Sequence, residues 1–234
     1  MRTSVNLRFT GNLGAVSADQ ATPLRQVRER DLVEATRTLF DERGMQDAQV
    51  DEIARAAGIA RGLVYRHFSS KEELYVLTVT HYLDEVAELL EAAVDSDAPP
   101  PTRLERCTVA FARYCERYPA FLDSSQALMR RHAIELHEIV SESVWLRLGQ
   151  SMARCLECVA QVLRDGAARG DFDVDDPDYM ANVLWTQALG VMHLARIRVG
   201  VRQAGPGVPE LFKITPDQAV ESCVRSALLL VGAR

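Results

Sequence analysis

Asp51–Lys71 reads DEIARAAGIARGLVYRHFSSK and holds two short helical patterns joined by a tight turn at Gly58 and Ile59. The first pattern runs over Val50–Ala57, with Ile53, Ala54 and Ala57 on one side at helical spacing. The second runs over Ala60–Phe68. Glycine takes the left-handed conformation that closes a helix, so Gly58 ends the first. Two helices across such a turn make a helix-turn-helix: one braces, the other offers its N-terminal residues to the major groove. Ile53, Ala54, Ala57, Ile59, Val64 and Phe68 supply a small core. Arg61, Gly62, Leu63, Tyr65, Arg66 and His67 are left to face outward.

Charge supports that reading through its distribution. The 234-residue chain carries a net charge of −6, which taken alone opposes a nucleic-acid partner. Residues 1–71, however, hold 11 Lys and Arg against 9 Asp and Glu, and the remainder holds 16 against 24. Within 53–71 stand Arg55, Arg61, Arg66 and Lys71 and no acid. Hydrophobic residues at 47% and charged residues at 26% describe a folded globular chain, long enough for one domain or two small ones. No apolar run approaches the roughly 20 residues of a membrane span. The start, MRTSVNLRFTGNLG, lacks the apolar block of a signal peptide. Five scattered cysteines suit a reducing compartment, so a cytoplasmic protein is expected.

Outward from that stretch, the pattern is helical almost throughout. Residues 1–23 show no period and are expected to form a flexible arm, in which Arg2 and Arg8 are candidates for a minor-groove contact. A helix from about Leu24 places Leu32, Ala35, Thr36, Leu39 and Phe40 on one face and stops at Gly44. A longer helix follows over about 70–94, opened by a capping-box spelling, Ser69 with Glu72 or Ser70 with Glu73. Pro99–Pro101 is a loop. Helices then read at 102–117, 119–129, 135–169 and 178–199. Gly200–Pro209 reads as a second loop, and Thr215 with Gln218 as a capping box opening the last helix. No segment alternates with period two, so no sheet is expected and the fold class is all-α. The domains divide as 24–69 for a three-helix head and 70–234 for a larger helical body.

The run 25–74 resembles the DNA-binding domain of the tetracycline-repressor (TetR) family. The matching residues are Gly44, Ile53 and Ala54, Ala57 and Gly58, Gly62, the block Tyr65-Arg66-His67-Phe68, then Lys71 and Leu74. The resemblance implies phosphate contacts from Tyr65, His67 and Lys71. It implies base-edge readers at Arg61 and Leu63, with Gly62 letting the backbone come near DNA. An arginine can grip guanine through two hydrogen bonds, whereas leucine can only touch a thymine methyl. This chain has Ala48 and Gln49 where the family usually has a serine or threonine, Ala60 where serine is common, and Leu63 where threonine is common. Gln49 can still donate to a phosphate. Ala60 brings neither hydroxyl nor cap.

The resemblance also implies a homodimer, a palindromic operator on double-stranded DNA, and a small-molecule effector in the body. Aromatic and thioether residues collect there: Phe111, Tyr114, Phe121, Met129, Trp145, Met152 and Trp185. Most fill a core, while Phe121, Trp145 and Trp185 are candidate pocket walls and Tyr114, Gln187 and His193 candidate polar anchors. The last two helices carry wide apolar stripes, Leu184, Val191 and Leu194 on one and residues 220–231 on the other, and are expected to pair with a second subunit. The expected protein is thus a repressor released by a largely apolar effector.

Two other readings compete. Cys155 and Cys158 spell C-x-x-C and allow a redox-responsive regulator, although helical cysteines three apart are more often core fillers. A helical adaptor for other proteins is the second. A nucleophile elbow, a phosphate-binding glycine loop and paired metal-ligand spacings are all missing, so no enzyme, cofactor or metal is expected.

Overall fold

A computed structural model describes residues 23–44, 48–94, 97–130 and 133–233. Three helices make the head: α1 (Pro23–Arg43), α2 (Val50–Ala56) and α3 (Arg61–His67). The body holds α4 (Lys71–Ala93), α5 (Pro100–Arg117), α6 (Pro119–Met129), α7 (Ala133–Ile139), α8 (Glu142–Arg169), α9 (Pro177–Ile197) and α10 (Pro216–Leu230). A two-stranded hairpin, β1 (Val199–Gly205) and β2 (Val208–Lys213), stands between the last two helices. The class is all-α, with the helix-turn-helix at the N-terminal end and a larger helical body behind it. The expected arm over residues 1–23 lies outside the described residues but for Pro23.

Helix α4 is the spine. Its buried side chains include Leu74, Leu77, Tyr82, Leu83, Val86 and Leu90, and it packs against α1, α5, α6 and α8. Ser70 caps it, accepting from the Glu73 N–H at 3.0 Å. The Glu73 carboxylate does not return to Ser70. It accepts from the Ser69 N–H at 2.5 Å and the Ser69 hydroxyl at 2.6 Å. At the other end of the chain the Thr215–Gln218 box is complete.

Pro100 and Pro101, expected in a loop, instead open α5. The structure corrects three further expectations. First, the loop expected at 200–209 belongs to a hairpin, in which Val199 faces Lys213 and Val201 faces Leu211. Both faces of β2 are exposed, so no alternation between core and solvent marks it in the sequence. Second, the helix expected over 135–169 is two helices. Ser141 between them is extended, and its hydroxyl donates to Glu73 of α4. That contact holds a break the apolar pattern runs straight across. Third, part of each stripe expected to meet a second subunit is used within the first, while Val191 is half-buried and Leu229 and Leu230 are exposed. Leu184, Val220, Cys223, Ala227 and Val231 are all buried, with α10 packed on α5 and α9. Leu194 alone among the named stripe residues of α9 is well exposed, at 41%.

Candidate nucleic-acid interface and effector cavity

The head is built as its residues dictate. Ile53, Ala54, Val64 and Phe68 are buried between α1, α2 and α3, and Ala57 and Ile59 are partly buried against them. The turn closes with the Ile59 N–H donating to the Ala54 carbonyl at 2.9 Å, and Gly58 has φ +67°. A residue with a Cβ would be strained there. Gln49 and Ala60 sit at the two N-caps and neither gives a side-chain hydrogen bond to its helix. Arg61, Gly62, Tyr65 and Arg66 are exposed on one side of α3, with Tyr65 at 45%. Leu63 and His67 are only partly exposed. His67 Nδ1 is buried with no hydrogen-bond partner among the described residues.

Two contacts set the outward charges. Arg61 donates to Asp51 at 2.9 Å, and its guanidinium lies 5.9 Å from the Tyr65 ring centre. Tyr65 and then Asp51 hold the Arg61 guanidinium more firmly protonated than usual. Lys71 Nζ sits 4.8 Å from the Tyr75 ring centre, at the first turn of α4. The Tyr75 hydroxyl in turn donates to the Ala48 carbonyl, which fixes the strand of chain leading into α2.

A sequence profile for bacterial regulatory proteins of the tetR family matches residues 32–77, from the second half of α1 to the first turns of α4. The transcriptional repressor KstR2 of Mycobacterium tuberculosis is 31% identical over 148 residues, covering 63% of this chain and 72% of that one. The chain belongs to the TetR family. A tetR-family regulatory protein from Rhodococcus RHA1 shares the fold, with a TM-score of 0.64 at 19% identity over 88% of this chain and 98% of that one. The structure of KstR2 itself aligns with a TM-score of 0.58 at 24% identity over 88% of this chain and 95% of that one. A member of the TetR family is a DNA-binding transcriptional regulator and not an enzyme.

In this TetR-family chain several polar contacts tie the head to the body, among them two at α4. Glu73, buried at the root of α4, joins Ser69 behind α3 to Ser141 between α7 and α8. Further along, Arg37 of α1 makes a two-pronged pair with Glu85 of α4, one prong at 2.8 Å. Tyr114 of α5 donates to the same Glu85 at 2.7 Å, and Tyr82 donates to Asp41 at 2.7 Å. Burial pushes the Glu85 carboxyl up, but the Arg37 and Tyr114 hydrogen bonds outweigh it and leave the group below its usual range. Asp41 moves the other way, because burial outweighs its partners.

An apolar cavity of about 40 Å³ lies deeper, between α4, α5, α8, α9 and α10. Of the candidate pocket residues, Phe111, Trp185 and Gln187 line it. The other candidate pocket residues stand elsewhere. Tyr114 belongs to the Glu85 network, and Phe121 is packed behind Phe111, with ring centres 6.1 Å apart. Trp145 packs edge-on against His137 at the start of α8, and Met152 packs on the core outside the cavity. Met129 and His193 are exposed. The walls not anticipated are chiefly Leu90, Leu104, Cys107, Leu184 and Ala227. Small and aliphatic residues at helix crossings carry no signal that separates a cavity from a core.

The cysteines behave as core. Cys155 is buried, donates to the Leu83 carbonyl at 3.2 Å, and burial pushes its thiol up to about 12. Burial also raises Cys158. A thiol so rarely ionised is a poor nucleophile for oxidants. Among the described residues no group of three or more His, Cys, Asp or Glu could hold a metal, and no helix is long and apolar enough to cross a membrane.

Proposed function

We propose that this chain is a homodimeric repressor that binds a palindromic operator and releases it when a small, largely apolar molecule enters the body. The carrying observation is the outward side of α3. Arg61, Gly62, Tyr65 and Arg66 stand exposed there, in a stretch of sequence without acids, while Val64 and Phe68 anchor the helix from behind. Tyr65, His67, Lys71 and Gln49 are assigned to phosphates, and Arg61, Leu63 and the close approach at Ala60 and Gly62 to the groove. Twofold symmetry then asks for half-sites about 34 Å apart or a multiple of it.

The route from effector to DNA runs through α4. At about 1.5 Å per residue its 23 residues span about 35 Å. Leu90 at one end lines the cavity; Lys71 and Glu73 at the other adjoin the reading helix. A molecule larger than the cavity pushes on Leu90, and the tilt reaches the head through Glu73 and the Arg37–Glu85 pair. Release requires that the effector bind the DNA-incompetent arrangement more tightly, since only differential affinity shifts an equilibrium.

The test is binding to duplex DNA as a function of salt. Affinity should fall steeply as salt rises, because phosphate contacts release counterions. Tyr65→Ala should weaken binding to every duplex and leave the salt slope unchanged, because a neutral phenol displaces no counterion from a phosphate. Arg61→Ala should lower operator affinity by about 1–3 kcal/mol and relax preference at one base pair. Wild-type affinity in both variants refutes the assignment of these residues.

A further inference from the structure

Gln187 is the polar exception in the apolar cavity. Its Nε2 and Oε1 are both shut off from solvent, and neither has a hydrogen-bond partner among the described residues. A buried carboxamide left this way is unfavourable, so its place against an otherwise greasy wall calls for a reason. The rest of the wall offers little to a polar ligand. The Thr108 hydroxyl gives its proton to the Leu104 carbonyl at 2.8 Å. No wall residue carries a charged side chain: the remainder are Leu, Ala, Val, Cys, Phe and Trp. The Cys107 thiol, pushed up to about 12 by burial, adds no anion. A ligand carboxylate or ammonium would be stranded without a counter-ion in such a place. A neutral head that both gives and takes a hydrogen bond completes Gln187, accepting from Nε2 and donating to Oε1.

The aromatic walls define the rest of the molecule. Phe111 and Trp185 meet with ring centres 4.6 Å apart, tilted by 48°, beside the Gln187 side of α9. A flat ring packs against such faces. At about 40 Å³ the space is well below the roughly 150 Å³ of a cavity that admits benzene, so the walls must yield when a ring enters.

We propose that the effector is an uncharged, mainly hydrophobic ring compound with a single head of the phenol or primary-amide type, held by Gln187. This rests on the reading of the cavity as the effector site. The test uses the full chain and three matched probes: 4-ethylphenol, ethylbenzene and 4-ethylbenzoate, titrated by calorimetry. Wild type should bind 4-ethylphenol about tenfold or more tighter than either of the others. Gln187→Leu, close in volume, should lose that preference while binding ethylbenzene at least as well as wild type. It should also melt no lower than wild type in the absence of ligand, because the orphaned amide is gone. Equal affinity for 4-ethylphenol and ethylbenzene, tighter binding of 4-ethylbenzoate, no binding of any probe, or a preference that survives Gln187→Leu each overturns the inference. Duplex-DNA binding is measured on the same preparations. Salt-sensitive DNA binding with failed probes removes only the effector class, whereas Gln187-dependent probe binding without DNA binding removes the regulator reading and leaves the site.

Discussion

Arg61 is both the leading candidate for reading a base and a residue already engaged. Its bond to Asp51 is between two exposed side chains, worth little in water. In the proposed complex the same carboxylate would lie beside a reader that must turn toward a base, and it would repel the phosphates. Asp51→Asn should therefore tighten duplex binding, by about two- to fivefold at moderate salt. In an Arg61→Ala background the gain should shrink to the part owed to repulsion alone, and equal gains in both backgrounds would show that the pair does not restrain Arg61. Glu85 makes a prediction of opposite character, about stability. Its folded carboxyl lies below the unfolded value of about 4.3. Its contribution is complete above that unfolded value and is lost as pH falls through the lower folded one. Asp41 shifts upward, so its protonation in acid returns part of the loss. Between about pH 6 and pH 3 the denaturation midpoint of wild type should fall further than that of Glu85→Gln. A slope unchanged by the substitution would mean that other carboxylates dominate.

Elements show how neighbours decide what a local rule is worth. Alanine is the better helix former, so Gly166→Ala within α8 should by propensity stabilise. The added Cβ, however, would overlap the Phe172 ring, which is buried at 5% exposure and has nowhere to go. The substitution should lower stability by about 1–3 kcal/mol, read by denaturant melts. Gly200 in β1 offers the control. A Cβ there would overlap the Phe212 ring, but Phe212 is 40% exposed on the hairpin and can swing aside. Gly200→Ala should stay within about 0.5 kcal/mol of wild type. The same contrast explains what was readable from sequence. The head was legible residue by residue because its spacing, its turn glycine and its basic window all point one way. The hairpin was not, because Val201, Val208 and Leu211 reach no core and so obey no core-facing period. The break at Ser141 was hidden because the partner that stabilises it, Glu73, is distant in the chain. Of the candidate pocket residues, Phe111, Trp185 and Gln187 line the cavity while Phe121 and Tyr114 do not, and the sequence could not separate them: an aromatic residue at helical spacing looks the same whether it faces a void or another ring.

Only at the scale of the whole molecule does the acidic net charge make sense beside a DNA-binding head. The basic residues are concentrated toward the first 71 positions, and the rest of the chain, which forms the body, holds the surplus of acids. One head with a seven-residue reading helix makes too few contacts to hold a unique site, so the proposed dimer supplies the affinity as well as the symmetry. Only part of each stripe that the sequence suggested is left for a partner, since Leu184, Val220, Cys223, Ala227 and Val231 are buried inside the subunit. On α9 the exposed residues Thr186, Gly190, His193, Leu194 and Ile197 form a strip with no Asp, Glu, Lys or Arg, and on α10 Leu229 and Leu230 are exposed. A self-complementary contact places such a strip against its own copy across the twofold axis. Placing a carboxylate there puts two like charges in the same interface. The double substitution Leu194→Glu with Ile197→Glu should therefore elute as a monomer at micromolar concentration with helical content unchanged. Its operator affinity should fall by about a hundredfold or more, because the second head is no longer held at a high effective concentration beside the first. Its binding to a single half-site should match that of wild type. A dimer that survives both carboxylates would move the interface elsewhere, and the exposed Val201 and Leu211 of the hairpin would be the next face to test.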